Sequence, residues 1–260
     1  MRKFFWIFLI AATFFFSGCG ASDKKEAAPS DAPASAPVSS GLKAPDLSTA
    51  GTLSGRVLFE GAAPAPKQIS IKGTPECAAL HPGGVILSEE LLVKDGGIAN
   101  AFVYIKQGLE GYLFPTPSES VTVANNGCMY VPHVVGVQVN QSVVFLNNDS
   151  TLHNIHAFPK ANKPFNLGLP LTSMKQTKKF AEAEVMVPMK CDVHSWMQGY
   201  IGVVPHPYFA VTDASGNFKI ANLPAGDYVV EVWQEKLGVQ SQKVRIEPQK
   251  TQNLEFKYTA

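Results

Sequence analysis

Short runs of alternating apolar and polar residues dominate this chain from residue 52 onward. Residues 121–123, 185–189 and 228–232 are typical of them, and turn-forming Asn, Asp and Gly separate the runs, as at 95–97 and 125–127. Side chains of a β-strand point alternately to the two faces of a sheet, so this period of two predicts strands. No long stretch has the spacing of an amphipathic helix. The pattern predicts an all-β chain, built as a pair of β-sandwiches.

Residues 1–19 have the pattern of an export signal. Arg2 and Lys3 precede an apolar run, residues 4–16, which is too short to span a bilayer comfortably. The run leads to a Ser-Gly-Cys sequence that resembles the cleavage box of bacterial lipoproteins, and this implies that Cys19 carries the lipid. The alternative is an ordinary secretory signal with an incidental cysteine. Both interpretations predict an exported protein, in the periplasm or at the cell surface.

Residues 20–49 consist mainly of Ala, Pro, Ser and charged residues. A segment with so little to bury is predicted to be disordered and to act as a tether between a lipid anchor in the membrane and the folded part. The charge balance of the chain gives no indication of a nucleic-acid-binding footprint, which needs a clustered basic excess, because 22 Lys and Arg stand against 21 Asp and Glu.

Three cysteines follow the export signal: Cys77, Cys128 and Cys191. An odd number in an oxidising compartment leaves one thiol free or committed to another purpose. The simplest pairing joins Cys77 to Cys128 and leaves Cys191 for other chemistry. The sequence alone leaves the other pairings open.

Residues 209–233 resemble the carboxypeptidase regulatory-like domain, a transthyretin-type β-sandwich. The resemblance lies in a Thr-Asp pair, a glycine turn, a phenylalanine strand and a Leu-Pro-x-Gly-x-Tyr motif. The matching residues are Thr212, Asp213, Gly216, Phe218, Leu223, Pro224, Gly226 and Tyr228. Because residues 209–260 alone hold too few strands for a stable core, we expect residues 50–110 and 206–260 to be two halves of one sandwich. Residues 111–205 would then be an insert, and simple tandem domains are the alternative.

The insert contains the sequence KCDVHSWMQG at residues 190–199, which brings Cys191, His194 and Met197 close together. Cys191 continues the alternating apolar row of the preceding strand, so it is expected to face inward. A new apolar strand starts at residue 200, which makes this stretch a loop between two strands. Cys191 and His194 are an odd number of positions apart, so only a tight loop can direct both side chains to one point.

A further donor is expected from residues 145–158, which contain His153 and His156. These histidines are also three positions apart, so a strand presents only one of them to a given side. Here the chain resembles the cupredoxins, the plastocyanin and amicyanin group, in an Asn-x-Asp sequence followed by His-Asn. The matching residues are Asn147, Asp149, His153 and Asn154.

The loop completes the resemblance, which covers about residues 119–204. Amicyanin-like proteins carry their ligands as Cys-x-x-His-x-x-Met followed by x-Gly, which Cys191, His194, Met197 and Gly199 match. The resemblance implies a Greek-key cupredoxin sandwich that binds one type 1 (blue) copper ion. The ligands would be His153, Cys191, His194 and Met197. It also implies that the backbone of Asn154 hydrogen-bonds the Cys191 sulfur.

This ligand set predicts an electron carrier rather than an enzyme, because it leaves no coordination position for a substrate. Zinc is the alternative metal for Cys and His, but a thioether is a poor zinc ligand. The expected partners are redox proteins that bind by small, transient contacts. Trp196 either belongs to that docking surface or packs in the core. His133 matches no ligand position and is interpreted as a structural or surface histidine.

The sequence leaves three other functions open. The same ligands would serve copper delivery or storage. A copper enzyme would result if water replaced Met197. The third function is adhesion or carbohydrate binding by the carboxypeptidase regulatory-like sandwich, with the cupredoxin insert in a structural role only.

Overall fold

The computed structural model describes residues 41–259, so the predicted export signal, Cys19 and the tether up to residue 40 lie outside it. The elements are β1 Gly51–Glu60, β2 Gln68–Ser70, α1 Pro75–Leu80, β3 Val85–Leu87, β4 Val93–Lys94, β5 Gly97–Ile98, β6 Phe102–Gln107, β7 Val121–Asn125, β8 Tyr130–Val131, β9 Val134–Gln138, β10 Val143–Asn147, β11 His153–Ala157, β12 Phe165–Leu169, β13 Lys175–Lys178, β14 Glu184–Lys190, β15 Gln198–Val204, β16 Phe209–Val211, β17 Asn217–Leu223, β18 Gly226–Gln234, β19 Gly238–Ile246 and β20 Thr251–Thr259. The all-β prediction is confirmed. No helix between residues 41 and 259 is long and apolar enough to cross a membrane.

The first sandwich consists of two sheets around one core. One sheet has the order β17-β1-β5-β4, with β20 also paired to β1, and the other has the order β16-β6-β18-β19. β1 and β20 run parallel from the pair Thr52–Thr251 to the pair Glu60–Thr259. The core residues come from 53–109 and from 208–258. Segments from both ends of the described chain therefore build one hydrophobic core.

The second sandwich has sheets of order β13-β10-β7-β8 and β12-β11-β14-β15-β9. Most of its core residues lie between 123 and 203, and Ile71, Cys77 and Ile86 join them. These three belong to the β2–α1–β3 segment, which falls in the range 50–110 predicted for the split sandwich. The segment packs on the second core instead, because a disulfide joins Cys77 to Cys128 and the two isoleucines bury their side chains there.

A third apolar cluster joins the two sandwiches. Phe102 of β6 is fully buried in it, together with Val134, Met186 and Val204 of the second sandwich. The Phe102 ring lies over two strand glycines, Gly136 and Gly202, which are paired with each other between β9 and β15. A glycine inside a strand often marks a close approach of this kind. A Cβ atom at residue 202 would lie 2.5 Å from Cζ of Phe102.

We expect Gly202→Ala to lower the free energy of unfolding by about 1–3 kcal/mol, because the added methyl group overpacks the buried Phe102 ring. Urea denaturation followed by fluorescence measures the change. Gly168→Ala is the matched control, since Gly168 also lies in a strand of the second sandwich but has no atom within 4 Å of the added Cβ. Equal stability of the Gly202→Ala and Gly168→Ala variants would contradict the proposed contact.

Candidate metal centre

His153 is the first residue of β11 and its side chain is completely buried. Its Nε2 lies 2.9 Å from Oδ2 of Asp149. Its other ring nitrogen, Nδ1, is buried and has no hydrogen-bond partner. An unpaired buried polar atom costs free energy, so it calls for an explanation such as a bound ion.

Asp149 sets the orientation of this histidine. Its Oδ1 accepts a hydrogen bond from the backbone N–H of Gly127 at 2.7 Å, and its Oδ2 accepts one from Cys128 at 2.8 Å. Burial alone would raise the pKa of Asp149, but the hydrogen bonds from His153 and the two backbone groups lower it below its usual value. An ionised carboxylate only accepts, so Nε2 of His153 carries a proton, and Nδ1 presents a lone pair when the ring is neutral. Burial alone would lower the pKa of His153, but Asp149 and Cys191 raise it above its usual value, so a metal ion at Nδ1 would compete with a proton.

The loop between β14 and β15 holds the other predicted donors. The backbone N–H of Cys191 donates to the carbonyl oxygen of Met197 at 3.1 Å, and the N–H of Met197 donates to that of His194 at 2.9 Å. These two bonds close the loop. As a result, Sγ of Cys191 lies 3.6 Å from Nδ1 of His194. The buried side chain of Met197 belongs to the same core, and its axial role remains a prediction.

The folded chain brings His153, Cys191 and His194 together, with one donor atom from each within 4.8 Å of the others. The two imidazole rings are 4.7 Å apart between centroids, and all three residues are buried. Atoms that bind one ion at about 2.0–2.3 Å are separated by up to about 4.5 Å, so small side-chain rotations suffice to close the cluster. Two imidazoles and a thiol, with a thioether nearby in sequence, fit a soft or borderline transition-metal ion.

The electrostatics of the cluster favour a thiolate. Burial alone would raise the pKa of the Cys191 thiol, but the neighbouring His153 ring and hydrogen bonds from the backbone of Asn154, His194 and Val193 lower it below its usual value. Burial lowers the pKa of His194, and the nearby charge of His153 adds to that effect. A deprotonated sulfur and a neutral imidazole are the forms that bind metal ions.

Asn154 connects the two segments that carry the donors. Its Oδ1 lies 3.3 Å from Sγ of Cys191 and accepts a hydrogen bond from the backbone N–H of Asp192 at 2.7 Å. Its Nδ2 donates to Asp192 and to Asn166. The sequence resemblance implied only a backbone contact to the sulfur, whereas the side-chain amide also reaches it.

Trp196 and the Cys77–Cys128 disulfide adjoin the cluster. The disulfide sulfurs lie within 4.8 Å of a ring nitrogen of His194. The indole N–H of Trp196 donates to the carbonyl oxygen of Cys128 at 3.0 Å, and its ring lies 5.2 Å from that of His194. Trp196 is therefore half-buried, with one edge held in the structure. Cys191 is the one free cysteine of residues 41–259.

Sequence reasoning missed the part played by Asp149, although Asp149 belonged to the matched motif. A carboxylate four positions before a buried histidine was the available signal. His156, the rejected candidate, points away from the cluster and contacts the exposed carboxylate of Asp192 at 3.0 Å. The two histidines lie on opposite faces of β11, as the alternation of side chains along a strand predicts.

Comparison with known families gives one partial match. Residues 181–254 match the family model described as polysaccharide lyase family 4, domain II. This range runs from just before β14 through the ligand loop into β20, too little of the chain to assign it to a family. The matched family differs from the carboxypeptidase regulatory-like domain that residues 209–233 resemble. No curated protein sequence matches the chain.

Several solved structures show a limited likeness to a part of this chain. A purple cupredoxin from Nitrosopumilus maritimus is 24% identical and covers 32% of this chain and 98% of its own, with a TM-score of 0.28. A copper-containing nitrite reductase from Thermus scotoductus is 23% identical, with a TM-score of 0.30. The match covers 38% of this chain and 25% of the reductase chain. A methionine-to-alanine mutant of amicyanin in its Cu(I) form is 21% identical over 32% of this chain and 81% of its own, with a TM-score of 0.29. At these scores the likenesses carry no weight for function.

Proposed function

We propose that this protein is an exported electron carrier that binds one type 1 copper ion through His153, Cys191, His194 and Met197. The observation that carries the proposal is the unpaired, buried Nδ1 of His153, which belongs to the same cluster as Cys191 and His194. Asp149 holds the proton on the far side of that ring. The Nδ1 lone pair of His153, the thiolate of Cys191 and the neutral imidazole of His194 then meet at one buried site.

Copper suits this donor set better than zinc does. A thiolate and a thioether are soft ligands that favour copper, whereas structural zinc sites use Cys and His without Met. A copper ion bound there supplies a one-electron couple. The chain contributes a closed loop and buried donors, which would limit rearrangement when the charge changes, and Met197 as fourth ligand would leave no open position for a substrate. Electron transfer therefore fits the cluster better than catalysis does.

Two exposed apolar side chains adjoin the ligands and provide a route for partners. Val193 is 51% exposed and precedes His194, and Leu152 is 44% exposed and precedes His153. A small apolar surface suits the weak, short-lived contacts of redox proteins. We include Trp196 in this proposed docking surface, since its ring packs beside that of His194.

The remaining parts of the chain are proposed to support this role. Lipidation at Cys19 and the tether predicted at residues 20–49 would hold the carrier at a membrane facing the periplasm or the cell exterior. The end of that segment is not free as predicted, because the backbone of Lys43 pairs with Gly111 and Leu113. Residues 50–110, apart from the β2–α1–β3 segment, and residues 206–260 are proposed as a carboxypeptidase regulatory-like scaffold that carries the copper domain, residues 111–205. The β2–α1–β3 segment then belongs functionally to the copper domain, on which it packs.

Voltammetry of the copper-loaded protein tests the proposal against copper delivery or storage, which would use the same ligands. An electron carrier is expected to give a reversible one-electron wave over many cycles and to retain its copper when reduced. A delivery protein would release Cu(I) to a chelator after reduction. An irreversible wave, or loss of copper on the first reduction, would contradict electron transport.

Asp149→Asn is expected to weaken copper binding by about 10–100-fold. The amide has one acceptor oxygen, so its NH₂ group must face a donor at Gly127, Cys128 or His153, and the orientation of the His153 ring is lost. A Cu(I) competition titration measures the affinity. Asp213→Asn, in an exposed turn of the other sandwich, is the control and is expected to bind copper as the wild type does. Equal affinities of both variants would argue against orientation by Asp149.

A further inference from the structure

A second buried histidine, His133, lines a cavity between the β2–α1–β3 segment and the second sandwich, on the far side of Trp196 from His194 in the chain of contacts. The cavity has a volume of about 420 Å³ and is bordered by Glu89, Glu90, His133 and Trp196, with Lys67 on its wall. His133 precedes β9 of the second sandwich. Its side chain is 3% exposed.

Glu235 orients the His133 ring from the turn between β18 and β19 of the first sandwich. Nε2 of His133 lies 2.7 Å from Oε2 of Glu235. The other carboxylate oxygen, Oε1, accepts hydrogen bonds from Nε2 of Gln198 at 2.6 Å and from the hydroxyl of Tyr200 at 3.0 Å. Both oxygens of Glu235 act as acceptors in these contacts, so Nε2 of His133 is the donor of its hydrogen bond.

The other ring nitrogen of His133 is left with a lone pair and no partner. Nδ1 is buried without a hydrogen bond. Oε2 of Glu89 lies 3.7 Å from Nδ1, which is too far for a hydrogen bond. Two acceptors therefore face each other across the cavity with nothing to join them. A histidine whose far nitrogen donates to a carboxylate is the arrangement that metal-binding histidines use.

The charge of the cavity also favours a cation. Glu89 and Glu90 both line it, and Lys67 balances only one of them. Burial raises the pKa of Glu89; a protonated His133 ring would offset part of this rise, which a neutral ring does not, and the charge of Glu235 adds to it. The Glu89 carboxylate thus lacks a full counter-charge, and a bound cation would supply one.

We propose that this cavity binds a divalent cation of the zinc class through Nδ1 of His133 and the carboxylate of Glu89, with Glu90 and water completing the coordination. Atoms bound at about 2.0–2.2 Å to one ion lie about 3–4 Å apart, so the observed 3.7 Å fits. An imidazole with carboxylates and no sulfur suits zinc rather than Cu(I). Because Glu235 orients His133 from the other sandwich, the ion would also tie the two sandwiches together at the side where Trp196 lies.

Zinc titration by calorimetry tests this site separately from the copper proposal. Glu89→Gln is the informative variant, since Glu89 is partly exposed and tolerates the change, and Glu255→Gln on exposed β20 is its control. We expect the wild type and Glu255→Gln to share a zinc-binding event that is at least about tenfold weaker in Glu89→Gln. The same event is expected to persist in Cys191→Ser, which alters only the candidate copper ligands.

His133→Gln should abolish the event as well, with circular dichroism verifying its fold. Zinc binding that Glu89→Gln leaves unchanged would overturn the proposal. So would a zinc ion that is lost only with Cys191→Ser, because that ion belongs to the other cluster. A crystal soaked in zinc gives the direct view, and an anomalous peak between His133 and Glu89 is the result expected.

Discussion

Cys191→Ser is expected to abolish the intense colour of the copper-loaded protein and to weaken Cu(I) binding by at least about 100-fold. Cys191 is the one free sulfur among the described cysteines, and its environment lowers the pKa of its thiol, which favours the thiolate. A hydroxyl is a hard donor and does not form the thiolate–copper bond that produces the colour. Visible absorption and competition with a Cu(I) chelator measure the two effects.

The histidines offer a matched pair of controls for this experiment. His153→Gln removes the buried ring whose Nδ1 lacks a partner, whereas His156→Gln removes a partly exposed ring on the opposite face of the same strand. We expect copper binding to fall in the first variant and to remain in the second. Copper binding that survives Cys191→Ser, or that falls equally in both histidine variants, would show that the ion binds elsewhere.

Removing the disulfide with Cys77→Ala and Cys128→Ala is expected to lower the free energy of unfolding of the metal-free protein by about 4 kcal/mol, since the bond spans 51 residues. It joins α1 to the second core, and both sulfurs are fully buried. The backbone of Cys128 also contacts Asp149 and Trp196, so the cluster should loosen with it. Urea denaturation measures the loss.

Cys191→Ala is the control for the disulfide experiment. It removes a buried sulfur of the same core but cuts no cross-link. A double variant that loses no more than twice what Cys191→Ala loses would show that the disulfide adds only packing. A larger loss would assign the difference to the cross-link, which restricts the unfolded chain.

The strands and the ligand loop could be predicted from the sequence, because both have local signatures. Alternation alone predicts strands such as β18, and the spacing of Cys191, His194 and Met197 places three metal-binding side chains within seven positions. The loop is closed by bonds between its own residues, so its geometry depends little on distant parts of the chain.

Long-range pairing could not be predicted in the same way. Nothing local in β1 or β20 specifies that the two lie parallel, with Thr52 opposite Thr251. The β2–α1–β3 segment carries too few apolar residues to indicate which of two cores it covers. The contact between His133 and Glu235 is likewise long-range, with a sequence separation of 102. The sequence therefore indicated only a structural or surface histidine at His133.

The central claim is that one copper ion is bound by a cysteine sulfur and two histidine nitrogens. X-ray absorption at the copper edge measures the identity and number of these donors directly, in both oxidation states. We expect one short copper–sulfur distance and two imidazole nitrogens in the wild type, with the sulfur absent in Cys191→Ser and one nitrogen absent in His153→Gln. A spectrum that shows only nitrogen and oxygen donors in the wild type would contradict the claim.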